Sequence, residues 1–144
     1  MGLLRIARTP LVTIGPNATV SDAVVKMAEQ SIGAISVTDG NRLVGMFSER
    51  DLMLRVVLEK RDPDSTRIHA VMTSPVEIIQ RHSTADEALK LMLERHIRHL
   101  PIVDRDGSLC GMISMRSLLH EKVEDLTVQL DSLEAYFTAD GCGG

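Results

Sequence analysis

Two short stretches place a hydroxyl where it can meet an anion. They are GMFSERD, Gly45 to Asp51, and GMISMRS, Gly111 to Ser117. In the first, Ser48 is predicted to open a helix, where free N–H groups and the helix dipole favour negative charge. Its hydroxyl can donate to a phosphate. Asp51, one turn on, can accept both hydrogen bonds of a ribose 2′,3′-diol. Gly45 permits close backbone approach, and Arg50 can neutralise phosphate from the neighbouring side. Ser-x-x-Asp is also an ordinary capping box, and the two roles are compatible. The second stretch ends in Ser117, whose hydroxyl replaces two charged contacts with one weaker one. That loss is worth about 1.5–3 kcal/mol, or roughly one to two orders of magnitude in affinity. Two related but unequal sites are therefore expected, the Asp51 site being the tighter.

The elements that position these residues also occur twice. Pro10 to Asp39 lies over Pro75 to Asp104 without gaps at an offset of 65 positions, matching Thr19 to Thr84, Ala23 to Ala88, Met27 to Met92 and Ile32 to Ile97. One extra residue then enters the turn before Gly111, the cheapest place for an insertion. In each copy an extended stretch, LVTI or VEII, precedes a Thr-x-x-acid helix start. Apolar residues then recur at helical spacing. A strand–turn–strand follows, through AISVTD and LVGMFS or LPIVD and LCGMIS. Ser48 and Ser114 cap a second helix. The predicted fold class is α/β, with two tandem β-α-β-β-α repeats packed through their sheets and a C-terminal amphipathic helix. Residues 1–60 form the first repeat with its N-terminal segment, 61–74 a linker containing a short helical piece, 75–123 the second repeat, and 124–144 the helix and a frayed tail. A unit of about 50 residues buries too little surface to stand alone, so the pair is read as one globular module.

The composition narrows the function. Aromatics are 2% of the 144 residues, with no Trp, which leaves no platform for stacking nucleic acid bases. A net charge of −4 argues against non-specific binding to nucleic acid or an anionic membrane. No apolar run approaches the roughly 18 residues of a membrane span. The start MGLLRIARTP carries Arg5 and Arg8 and reads neither as a signal peptide nor, with Ile6 in place of Ser or Thr, as a myristoylation signal. Cys110 and Cys142 read as free thiols in a reducing cytoplasm. His96 and His99 are three apart, but Pro101 makes Leu100 extended and separates them, so no metal site is expected.

The duplicated β-α-β-β-α unit, IRHLPIVDRDG and the Gly-x-x-Ser-x-x-Asp phrase together resemble the CBS domain, named after cystathionine β-synthase. Two tandem copies resemble a Bateman module, and the chain looks most like small stand-alone bacterial proteins of this type. The resemblance covers about residues 8 to 123. It implies a non-catalytic regulatory module that binds an adenosine-containing ligand between the repeats. The ligand would be AMP, ADP or ATP, with NAD(H) or S-adenosylmethionine as alternatives and no required cofactor. Carried over by position, one site would combine Ser48, Arg50 and Asp51 with Glu77 and Ile78, and His99 and Arg98 would supply phosphate contacts. The other would combine Ser114, Arg116 and Ser117 with Val12, Thr13, Gly33 and Arg98. Glu77 departs from the apolar residue usual beside the base.

After the second repeat, Leu119, Val123, Leu126, Leu130, Leu133 and Phe137 form a heptad seam. It is read as a contact with a second chain, in a homodimer of the disk-like kind that the resemblance implies. Packing on its own module is the competing reading. No catalytic constellation stands out. The alternative to a ligand sensor is a dimeric scaffold for an unknown protein partner, with vestigial nucleotide clefts.

Overall fold

A computed structural model describes residues 2–8 and 11–143, with side chains through residue 136. Pro10, the Phe137 side chain and the Cys142 thiol lie outside the described residues. The first repeat runs β1 (Thr13–Ile14), α1 (Val20–Gln30), β2 (Ala34–Asp39), β3 (Arg42–Ser48) and α2 (Glu49–Asp51), which continues as a π-helical segment, Leu52–Val57. After α3 (Ile68–Val71), the second repeat runs β4 (Ile79–Gln80), α4 (Ala85–Arg95), β5 (His99–Val103), β6 (Leu109–Ser114) and α5 (Met115–Gly143). Each repeat forms a three-stranded sheet, in the orders β1-β2-β3 and β4-β5-β6. In each sheet the first pair is parallel and the second is an antiparallel hairpin. The expected repeat architecture is present. The extended stretches LVTI and VEII contribute only two strand residues each.

Local chemistry explains the helix boundaries. Thr19 Oγ1 accepts from Asp22 N at 3.1 Å, and Asp22 Oδ2 accepts from Thr19 N at 3.1 Å, completing a capping box. Thr84 Oγ1 accepts from Glu87 N at 3.1 Å. The helices stop at Ser31 and His96, both in the left-handed region, with φ of 53° and 56°.

Two apolar cores result. Val20, Ala23 and Met27 of α1 pack with Ile35, Val37 and Phe47 of the first sheet. Ala88 and Met92 of α4 pack with Leu100, Ile102 and Ile113 of the second. Strand alternation turns Ala34 and Ser36, and likewise His99, Pro101 and Met112, to the opposite faces. Ala34 and Met112 line one cavity, so the sheets face each other there. The hairpin turns also touch, Leu109 N donating to Asn41 O at 3.0 Å.

The segments that precede the two repeats are exchanged. Ile68 and Val71 of α3 are buried in the first core. Leu3, in a short 3-10 turn (Leu3–Arg5), is 1% exposed and belongs to the second core. Thr73 bonds both ways with Met46, at 2.8 and 3.0 Å, and Arg8 N donates to Met112 O at 3.0 Å. The stretch read as a linker therefore completes the first core, and the N-terminal stretch completes the second. This accounts for two glycines. A Cβ on Gly45 would stand 2.3 Å from Met72 Sδ, and one on Gly111 would stand 3.2 Å from Ala7 Cβ and Leu4 Cδ2. Their lack of a side chain admits these crossing segments.

Helix α5 begins against its own module, with Leu118 buried, Lys122 paired with Asp86 at 2.6 Å, and Glu121 paired with Arg5. Beyond Lys122 its apolar residues are open, from Val123 at 60% to Leu130 at 61% exposed. The helix also includes the stretch expected to fray, running to Gly143. Among the described residues no helix is long and apolar enough to cross a membrane.

Candidate ligand-binding clefts

The two Ser-led phrases lie at equivalent places, each at the junction of a sheet's last strand and the next helix. Their chemistry differs. Ser48 Oγ accepts from Asp51 N at 3.3 Å, and Asp51 Oδ2 accepts from Ser48 N at 3.0 Å and from Ser48 Oγ at 3.2 Å. Thr73 Oγ1, from the crossing segment, donates to Asp51 Oδ1 at 3.0 Å, and Arg55 Nε lies 3.6 Å from the same oxygen. Asp51 is 7% exposed, and its carboxylate is engaged on both oxygens by its own chain. The ribose-binding acid expected here also holds α2, β3 and the crossing segment together.

At the second junction Ser117 N donates to Ser114 Oγ at 3.1 Å, and the two hydroxyls lie 3.0 Å apart. Arg8 stands where Thr73 stands in the first repeat. An open cleft of about 430 Å³ lies here, lined by both repeats. The first repeat contributes an apolar wall of Leu11, Val12, Ile32 and Ala34, with Ser31 and Gly33. The second contributes Ser114, Arg116 and Ser117, with His99 and Met112, and Arg8 closes one side. Two arginines and the amino end of a long helix thus line one apolar-walled space, the Arg8 guanidinium also donating to Gln30 O at 2.5 Å. That arrangement suits an anion attached to a flat apolar group.

Of the residues expected in this cleft, Val12, Gly33, Ser114, Arg116 and Ser117 line it. Thr13 is occupied in β1, its carbonyl accepting from Lys26 Nζ at 2.8 Å. Arg98 is exposed, and its carbonyl accepts from Met115 N at 2.8 Å. His99, expected beside Asp51, lines the Ser114 cleft. The reason is register: His99 pairs directly with Ser114 across β5 and β6. Burial holds the His99 imidazole below its usual pKa, Glu49 opposes this, and Arg98 adds to it. On the Asp51 side, Arg50, Glu77 and Ile78 are exposed, and Glu77 pairs with Arg95 at 3.6 Å. Arg8, Leu11, Ile32 and Met112 were not foreseen. Extending the repeat alignment upstream of Pro10 would have set Arg8 over Thr73. Among the described residues no His, Cys, Asp or Glu side chains gather as a metal site.

Comparison with known proteins places the fold in a family. The CBS domain family model matches twice, over residues 4–58 and 68–124. Protein MK0525 of Methanopyrus kandleri is 35% identical over 115 residues, 79% of this chain. The match spans 59% of that relative, so the chain covers little more than half its length. A CBS-domain protein from Burkholderia ambifaria superposes with a TM-score of 0.79 at 34% identity, over 87% of this chain and 96% of that one. The CBS domain protein PAE2072 of Pyrobaculum aerophilum, solved in complex with AMP, superposes with a TM-score of 0.74 at 26% identity, over 81% of this chain and 89% of that one. The chain belongs to the CBS-domain family and carries two tandem CBS domains.

Proposed function

We propose that this protein is a non-catalytic regulatory module that binds an adenosine 5′-phosphate, AMP in the first instance, in the Ser114 cleft. One observation carries the reading: the open cleft joins an apolar wall from one repeat to Ser114, Ser117, Arg116 and Arg8 at a helix amino end. The AMP complex of the Pyrobaculum relative supports the ligand class. The adenine ring would lie along Val12, Ile32 and Ala34. Ser117 would take one ribose hydroxyl. Ser114, Arg116 and Arg8 would hold the phosphate, the arginines by paired N–H donors. A ligand gripped by both repeats favours the arrangement in which both grips are made, and shifts the module by its differential affinity for its states. The Asp51 site is the secondary one in this proposal, because its acid must leave an internal network before it can grip ribose.

The test is a calorimetric titration of the full chain with AMP, ADP and ATP, beside Arg116→Ala and Asp51→Ala. Arg116→Ala is expected to weaken AMP binding about tenfold or more, as for a lost charged hydrogen bond. Asp51→Ala should leave the AMP affinity of the folded protein within a factor of a few. Loss of binding in Asp51→Ala alone would transfer the main site to the other cleft. No saturable binding of any nucleotide would favour the second reading, a dimeric scaffold. That reading draws on the apolar residues exposed along α5, from Val123 to Leu133.

A further inference from the structure

A second concave site lies outside the clefts. A groove of about 470 Å³ opens beyond the carboxyl ends of β4 and β5, lined by Arg5, Arg81, His82 and Arg105 with Leu4 and Asp104. It shares no lining residue with the Ser114 cleft. His99, in that cleft, begins β5, whereas the groove lies past its last residue, Val103. The two are therefore separated by roughly 13 Å of strand.

The duplication supplies an internal control. At the 65-position offset, Arg5, Arg81 and His82 correspond to Ala70, Pro16 and Asn17 in the first repeat. Arg105 sits in the turn that is one residue longer in the second repeat, where the first has only Asp39-Gly40-Asn41. The strand pairing beside the groove is the same in both repeats: Ile14 opposes Val37 as Ile79 opposes Ile102. None of the four basic residues has a basic counterpart at its matched position. The one arginine that reaches the matching corner of the first repeat, Arg67, comes from outside the alignment, and its Nη1 donates to Asn17 O at 3.0 Å.

Two of the three arginine charges are little used internally. Arg81 lies 3.7 Å from Asp104, with both side chains open to water, an exposed pair that contributes little. Arg5 is held by Glu121 at the rim. No ion-pair partner is present for Arg105 among the described residues. Three arginines thus line one groove, beside the single acid Asp104, in a chain of net charge −4. Guanidinium forks match phosphate oxygens in pairs, and the volume is that of a small-molecule site, about 300–1,000 Å³.

We infer that the Arg5–Arg81–Arg105 groove is a second anion site that binds a small phosphate-bearing molecule independently of the cleft between the repeats. This does not rest on the nucleotide reading. The experiment is an NMR titration of the labelled full chain with inorganic pyrophosphate at constant ionic strength. Sodium chloride is the control, and Arg81→Ala/Arg105→Ala the variant. Saturable amide shifts are expected at Gln80–His82 and Asp104–Gly107. The double variant should weaken them about tenfold or more, leaving AMP affinity unchanged. Arg116→Ala should do the reverse. Shifts confined to Ser114–Ser117, shifts that chloride reproduces, or a titration the double variant does not alter would each overturn the inference.

Discussion

His99 and Asp51 are the two side chains whose surroundings most change their expected behaviour. His99 loses water inside the cleft, so folding favours its neutral form. With its folded pKa below the unfolded value, the unfolded chain binds more protons as pH falls through this range. The His99 contribution to stability is therefore complete above the usual histidine pKa of about 6.5 and is lost as pH falls below it. Urea denaturation at a series of pH values should show this slope, and His99→Gln should flatten it. A phosphate bound beside His99 would favour imidazolium. AMP itself takes up a proton at about pH 6, so the readout is the difference from His99→Gln. The wild type should take up more protons on binding AMP below neutrality, seen by calorimetry in buffers of different ionisation enthalpy. Equal uptake in the two would separate His99 from the phosphate. Asp51 makes a different prediction. Asp51→Ala leaves Ser48 N and Thr73 Oγ1 without their acceptor in a buried place. It should cost about 1–3 kcal/mol without any ligand, read as a lowered denaturation midpoint. An unchanged midpoint would mean that the network contributes nothing.

At the scale of elements, the exchange of preceding segments makes each core depend on residues distant in sequence. Leu3 is fully buried in the second core although it stands two residues from the start of the sequence. Leu3→Ala should therefore destabilise by about 2–5 kcal/mol, as for a core leucine. A surface leucine such as Leu93, 60% exposed, should change stability by less than about 0.5 kcal/mol. Equal effects of the two substitutions would show that the first turn does not hold. The same segment carries Arg8 into the cleft five residues later, so it links core stability to the ligand wall. The turn of α5 at Ser114 to Leu118 has the same double duty, since it anchors in the second core through Leu118 and supplies Ser114, Arg116 and Ser117.

On the scale of the whole molecule, α5 extends past its anchoring contacts with an apolar seam turned to water. A solitary helix of this kind gains little from propensity alone. We expect it to pair with a second copy: acids Glu124, Asp125 and Asp131 lie off the seam, and Leu119, Val123, Leu126, Leu130 and Leu133 repeat along it. Light scattering after gel filtration should give a dimer mass, and Leu126→Glu/Leu130→Glu should lower it to the monomer with the module still folded. A dimer that persists would place the interface on the module itself. There Met53, Val57 and Leu58 also stand exposed, between 55% and 65%.

The repeats, their strands, the helix caps and both Ser-led phrases were legible in the sequence, because local pattern and hydrogen-bonding chemistry act within a few residues. Thr19 caps α1 and the AISVTD strand forms wherever the rest of the chain lies. The same reading assigned residues 61–74 to a linker and Gly45 to ligand access, because nothing local says that Met72 crosses over that glycine. Tertiary structure alone decided which segment completes which core and which residues each Ser-led phrase meets. Asp51 meets Thr73, 22 residues away, while Ser117 and Arg8 line one cleft from distant parts of the chain. A carboxylate satisfied by a distant hydroxyl and a serine set in a cleft with a distant arginine are indistinguishable in a motif. They differ only in their non-local partners.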